Sequence, residues 1–174
     1  MTGDADPDVA TYAVAEGFDS FYRREFPAMV ALASSLGGRA VAEDLAQEAM
    51  VKAHRNWSKI AGYDNPGTWV RRVTINLATS TARRRTAEVK AKLRLRSRVR
   101  PDIPAPSPVH EPVWAAVAQL PPQQRAAIAL HYLEDRPVAE IAQILDCSPS
   151  TAKVHLHKAR TRLAAVLTPG VTDD

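Results

Sequence analysis

The clearest pattern of apolar and polar positions lies near the end of the chain, from Pro137 to Leu167. Val138, Ile141, Ala142 and Leu145 recur at i, i+3, i+4 and i+7, which is one face of a helix. Pro137 suits a first helical position, where its missing N–H would be unpaired anyway. Asp146-Cys147 leaves room only for a tight connection. Ser148 then reads as an N-cap with Pro149 behind it, and Ser150 as a rival cap. In the helix that follows, Ala152, Leu156, Ala159, Leu163 and Val166 form an inner face. Thr151, Val154, His155, Lys158 and Arg162 form the outer one. No acidic residue occurs between Lys153 and Arg162. Two helices in this order make a helix-turn-helix. Its second helix can enter a major groove, with N-terminal residues on base edges and later cations on phosphates. A helical hairpin with a solvated basic face is the plainer reading.

Upstream, a helical pattern starts near Val9 to Ala15 and strengthens at Phe18, Phe21, Tyr22, Phe26, Met29, Val30 and Ala33. Pro27 predicts a kink or a restart, and Gly37-Gly38 a stop. In VAEDLAQEAMVKAHRNW, the residues Ala42, Leu45, Ala46, Ala49, Met50, Ala53 and Trp57 share a broad apolar face. Asp44, Gln47, Glu48 and Arg55 share the other. Glu43, Asp44 and Glu48 either complement the helix dipole or form an acidic docking face for a basic partner. After the loop SKIAGYDN, Asn65 caps and Pro66 opens a further helix. Trp69, Val70, Val73 and Leu77 face inward, Arg71 and Arg72 point elsewhere, and Arg83-Arg84-Arg85 closes the helix. Those arginines either complement its C-terminal dipole or contact phosphates.

From Thr86 to Arg100 the chain is basic and weakly periodic, a pattern that can also continue the preceding helix in frayed form. PDIPAPSPVHEP follows, with five prolines, and reads as a semi-rigid linker. Val113, Val117 and Leu120 mark a short helix that Pro121-Pro122 breaks. Gln123 to Leu133 is another, with Ala126, Ala127, Leu130 and Leu133 inside. The fold class is therefore all-α, two small helical domains joined by a Pro-rich linker, the second a four-helix unit with the helix-turn-helix. The expected boundaries are 1–17 (acidic, partly disordered), 18–85, 86–111 (linker), 112–168 and 169–174 (tail).

Composition narrows the function. The net charge of +4 and apolar content of 45% describe a modestly basic chain with material for a core. Residues 18–85 hold 11 basic and 6 acidic groups, net +5, which permits nucleic acid without proving it. Cys147 is the one cysteine, so neither a disulfide framework nor a multi-Cys zinc site is available. The acidic N-terminus and the lack of a long apolar run predict a soluble, cytoplasmic protein with no membrane insertion. No Gly-rich phosphate loop or nucleophile–base pairing is present. His155 and His157 stand about 200° apart on a helix and cannot share an ion. No enzymatic activity, metal or cofactor is expected.

Taken in order, these pieces resemble an extracytoplasmic-function (ECF) sigma factor of the sigma-70 family, with regions 2 and 4 only. AEDLAQEAMVKAHRNW is similar to region 2.2, and NPGTWVRRVTINLATSTARRR to regions 2.3 and 2.4. LPPQQRAAIALHYLEDRPVAEIAQILDCSPSTAKVHLHKARTRL is similar to region 4. The resemblance covers about 18–85 and 112–167. It implies promoter-specific initiation with the RNA polymerase core, through the β′ clamp helices and the β subunit, and an anti-sigma factor as regulator. Asp44, Gln47 and Glu48 match the surface that docks on the clamp helices. The Ser58–Asn65 loop matches the part that captures an unstacked −10 base, an extrusion that stacking can offset. Trp69 lies near it, and is as readily a core anchor. Asn76, Arg83 and Arg84 fall on the −10 side. Thr151, Lys153, Val154, His155, Lys158 and Arg162 fall on the −35 reading helix.

Departures from the family occur at Ser80, where Asp is common, and at Val154-His155, where Ser-Arg is common. Val can touch a thymine methyl but donates no hydrogen bond, so these positions bear on which −35 bases are preferred. A stand-alone helix-turn-helix regulator is the alternative. It would bind promoter DNA tightly without polymerase, and it leaves the acidic helix and the Trp/Arg helix unexplained.

Overall fold

The computed structural model describes residues 17–95 and 111–167, which form eight α-helices and, among the described residues, no strand. The first group is α1 (Phe18–Gly37), α2 (Arg39–Arg55), the single-turn α3 (Trp57–Ile60) and α4 (Pro66–Leu95). The second is α5 (Glu111–Ala118), α6 (Pro122–Tyr132), α7 (Val138–Leu145) and α8 (Pro149–Leu167). The expectations for the N-terminal stretch, the proline-rich residues and the tail fall outside the described residues.

Helices α1, α2 and α4 pack as a three-helix layer. Phe21, Met29, Leu32, Ala33 and Leu36 of α1 meet Ala42, Leu45, Ala46, Ala49, Met50 and Ala53 of α2, all buried. The alanines let the two backbones approach closely, and Val70, Thr74, Ile75 and Ala78 of α4 close the layer. Trp57 seals one end by packing on Phe18 and Phe21, ring centroids 5.4 and 4.8 Å away. Gly38, at φ 90° and ψ 154°, turns the chain between α1 and α2 while its N–H reaches Ser34 O at 3.0 Å. A residue with a Cβ is strained there.

Three sequence expectations about these helices change. Of the kink or restart expected at Pro27 there is no restart, since helix α1 continues through it: the ring lies on the exposed side, where water can take the carbonyl that lost its donor. Helix α4 does not close at Arg83–Arg85 but continues to Leu95, because no Gly or Pro interrupts a run of good helix formers. Arg71 does not point away: it is 4% exposed, for reasons given below.

In the second group, α8 is the centre, packed against α5, α6 and α7. Val117, Leu120, Ala126, Ala127, Leu130, Ile141, Ala142, Ile144, Ala152, Leu156 and Ala159 make its core. Pro137 stands just ahead of α7 rather than inside it. Asp146 takes a left-handed conformation (φ 56°, ψ 50°), which Asp tolerates better than most residues, and Cys147 N–H closes on Ala142 O at 3.0 Å. Expected inner positions Leu133 and Val166 are 40% and 62% exposed. Leu133 falls in the turn beyond α6, and Val166 in the last turn of α8, past the part that α6 and α7 cover.

Candidate nucleic-acid interface

The helix-turn-helix is built locally. Ser148 Oγ accepts the Thr151 N–H at 3.1 Å, which makes Ser148 the N-cap of α8 rather than Ser150. Ser150 Oγ and Thr151 Oγ1 each lie 2.8 Å from the same hydroxyl. Thr151, Lys153, Val154 and Lys158 are exposed, with Val154 47% exposed. His155 is half-buried. Arg162 bends back, and its guanidinium donates to Gln124 Oε1 on α6.

The outer face is therefore rotated from the one the sequence suggested. An advance of about 100° per residue from Ala152, Leu156 and Ala159 puts Val154, His157, Lys158 and Thr161 opposite the core. His157 and Thr161 are exposed and were missed. The signal for them was available in the inner positions, whose centre of burial fixes the opposite side. Arg160 was also missed; it lies over the Tyr132 ring, 5.7 Å from its centroid, and donates to the hydroxyl at 2.9 Å.

Between α2 and α4 lies an open groove of about 370 Å³ lined by Lys52, Asn56, Trp69, Val73, Asn76, Leu77 and Ser80. It brings Trp69 and Asn76 together, with Trp69 half-buried and Asn76 exposed. Lys52 and Asn56 were not foreseen there. Asn56 Nδ2 donates to Lys52 O at 2.8 Å, which finishes α2. The Trp-bearing helix starts where Asn65 Oδ1 accepts the Thr68 N–H at 3.2 Å. Arg83 and Arg84 are exposed but do not join this groove. Arg83 lines a second one, about 330 Å³, together with Leu36, Ala82, Lys90, Pro122 and Arg125.

On α2, Asp44, Gln47 and Glu48 are all exposed, on the side away from the buried Leu45, Ala46 and Ala49. Glu48 pairs with Lys52 one turn on, at 3.1 Å. Among the described residues, no three His, Cys, Asp or Glu side chains are grouped so as to hold a metal ion, and no helix is long and apolar enough to cross a membrane.

The inward turn of Arg71 has a specific cause. Its guanidinium meets Glu25 Oε2 of α1 at 2.7 Å and Glu134 beyond α6, and donates to Gly67 O at 3.1 Å. A Cβ at position 67 would stand 2.7 Å from Arg71 Nη1 and 3.1 Å from Asn65 Oδ1. Glycine at 67 is thus what leaves room for the guanidinium. Burial tends to push the Glu25 carboxyl up, but the Arg71 charge and hydrogen bonds from Arg71 and Arg24 outweigh it and hold the carboxyl below the usual range.

Comparison with known proteins bears on all these surfaces. Residues 21–88 match the family model of sigma-70 region 2, and residues 110–163 that of sigma-70 region 4. The chain is 30% identical over 145 residues to the ECF RNA polymerase sigma factor EcfG of Rhodopseudomonas palustris (strain TIE-1), covering 81% of this chain and 80% of that one. It is 29% identical over 151 residues to the ECF RNA polymerase sigma factor SigM of Mycobacterium tuberculosis, covering 86% and 76%. The sigma factor RpoE of Bartonella quintana, solved with the anti-sigma factor NepR, superposes with a TM-score of 0.69 at 27% identity, covering 86% of this chain and 96% of that one.

Proposed function

The chain belongs to the ECF RNA polymerase sigma factors of the sigma-70 family, and from that premise we propose how its surfaces divide the work. It binds the polymerase core and directs promoter-specific initiation; the finer assignment concerns which side chains do so. Asp44, Gln47 and Glu48 dock on the basic clamp helices of β′, and region 4 meets the β subunit. Trp69 and Asn76 receive the −10 element in the groove between α2 and α4, with Lys52 and Asn56 on its wall. Arg83 and Arg84, further along α4, meet backbone phosphates. Thr151, Lys153, Val154 and Lys158 face the −35 element, with His155 at the edge and Arg162 positioned by Gln124. A sigma factor of this kind catalyses no reaction itself, and it works in the cytoplasm, where polymerase and promoter are. An anti-sigma factor is the expected regulator.

The observation that carries the assignment is the sorting of charge by face. Helix α2 presents Glu43, Asp44 and Glu48, whereas the outer side of α8 presents Lys153 and Lys158 and no carboxylate. Acidic and basic faces on opposite ends of one chain suit a basic protein partner and a polyanion, respectively. Run-off transcription with core polymerase, with start sites sequenced, tests the function directly. Reversing charge at Asp44 and Glu48 together should weaken core binding by at least tenfold and leave the melting temperature nearly unchanged, because exposed carboxylates contribute little to folding. Unchanged core affinity with a sharply lower melting temperature would make these residues structural.

A further inference from the structure

Two further arginines reach between the helical groups, and their charges are met differently. Arg72 of α4 donates to Ile144 O at 3.2 Å and to Gln143 O, near the end of α7, and the Asp146 carboxylate lies 3.5 Å away. Arg125 of α6 donates to Leu36 O in the last turn of α1 at 2.9 Å, and to Ala118 O and Leu120 O around the end of α5. No carboxylate among the described residues pairs with Arg125, and its Nε is buried without a hydrogen-bond partner there. Burial pushes the guanidinium pKa down, and no neighbouring charge offsets it. Carbonyl oxygens bring only partial charges, so much of the Arg125 charge is left unmet.

Arg125 lines the groove of about 330 Å³ between α4, the start of α6 and the end of α1, a volume at the lower end of small-molecule sites. Arg83 and Lys90 line it too, and no carboxylate does. The α4 wall is one stripe that includes Ala82, Arg83, Thr86, Ala87 and Lys90. Glu88, the acidic residue of this stretch, stands about 140° round the helix from Arg83. Pro122, the first residue of α6, lies at the groove, and no side chain caps that helix. Its open N–H groups and the positive end of its dipole therefore add to the three cations. Leu36, Ala87 and Pro122 supply apolar surface beside them. Such a lining asks for an anion with an apolar or aromatic body. Arg83 and Lys90 stand about 10 Å apart along α4, with Arg125 on the other wall, which suits a chain of phosphates better than a single one. Arg125 is half-buried between two helices, where a slender ligand reaches it and a rigid duplex does not.

We propose that this groove binds a nucleoside polyphosphate. Its phosphates meet Arg83, Lys90, Arg125 and the start of α6, and its base lies against Leu36, Ala87 and Pro122. The consequence for transcription rests on the sigma-factor reading. Arg83 is also assigned to promoter phosphates, and it cannot hold both at once, so bound nucleotide opposes formation of the promoter complex. Because the ligand binds the folded groove and not the unfolded chain, it also raises stability by mass action.

Titration calorimetry of the full chain with ATP and with GTP tests the site. At least one should bind one-to-one with a Kd below about 100 μM and raise the melting temperature. Adenosine or guanosine, without phosphates, and tripolyphosphate, without a base, should each bind roughly tenfold more weakly or worse. Lys90→Glu should weaken nucleotide binding by about tenfold or more, and so should Ala87→Trp, which fills the groove without changing its charge. Both positions are exposed and lie outside the proposed polymerase and DNA surfaces, so melting temperature and run-off without added ligand should stay at the wild-type level. With core polymerase and a fluorescent promoter fragment, the nucleotide that binds should reduce the promoter complex of the wild type and not that of Lys90→Glu. That contrast removes any effect through the polymerase's own nucleotide site, and its absence would overturn the competition. No binding of either nucleotide would overturn the site. So would tripolyphosphate binding as tightly as the nucleotide and insensitive to Ala87→Trp, which means an adventitious ion only. Loss of promoter binding by Lys90→Glu without nucleotide would also overturn it, making the groove a seat for DNA. A chain that binds nucleotide as expected but gives no run-off would refute the sigma-factor reading and leave the site standing.

Discussion

A guanidinium buried as deeply as that of Arg71 is tolerable only if its charge and donors are met on several sides. Glu25, Glu134 and Gly67 O do this. Nothing near Arg71 in the sequence announces it. The two carboxylates stand 46 and 63 residues away, and periodicity in α4 marks only the side that packs on α1 and α2. Arg71 lies just beyond that side, where the other half of the molecule covers it. The arrangement predicts a pH dependence. The folded-state pKa of Glu25 lies below its unfolded value of about 4.5, so its contribution to stability is fully present above that value. It is lost as pH falls through the lower, folded value. The Glu25→Gln variant should be less stable near neutrality and should show a shallower loss below about pH 4.5. Urea midpoints measured across that range check this, and parallel curves for the two proteins would contradict it.

At the scale of the element, most helices were legible because caps and apolar periods agree. Ser148 before α8, Asn65 before α4 and Gly38 between α1 and α2 each stop or start a helix by a local mechanism. What the sequence reading misplaced was the outer side of α8. Ala152, Leu156 and Ala159 are buried as the inner positions predict, but the side opposite them centres on Val154 and Thr161, rotated from the face drawn through His155. That rotation moves the expected base-reading weight from His155 toward Val154. Val154→Ser should shift preference at one or two −35 positions by about 1–3 kcal/mol, since it trades a methyl contact for a hydrogen-bonding group. Lys158→Ala should weaken binding to all sequences alike and lower the salt slope by about one. A randomised −35 library selected with each holoenzyme separates the two. Uniform loss from the Val154 variant, with altered preference from the Lys158 variant, would reverse the assignment.

For the whole molecule, the all-α class and the order of the two helical groups followed from the sequence, whereas the seam between them did not. Its contacts join residues 63, 72 and 89 positions apart, and each partner read singly is an ordinary polar residue. Yet the buried apolar side chains of both groups form one connected cluster, and the arginine contacts close its rim. Residues 111–167 make a unit small enough to be marginal alone, so it should borrow stability from α1 and α4. Calorimetry of the intact chain should then give a single transition, with van't Hoff and calorimetric enthalpies that agree. With Arg72→Ala and Glu134→Gln in place, that transition should split, and the lower one should belong to the C-terminal group. Tryptophan emission can identify it: Trp114 reports on α5, while Trp57 and Trp69 report on the N-terminal layer. Emission from a chain with Trp57 and Trp69 replaced by Phe should follow the first transition only. Two transitions already present in the wild type would mean that the closed seam couples the groups too weakly to unfold them together.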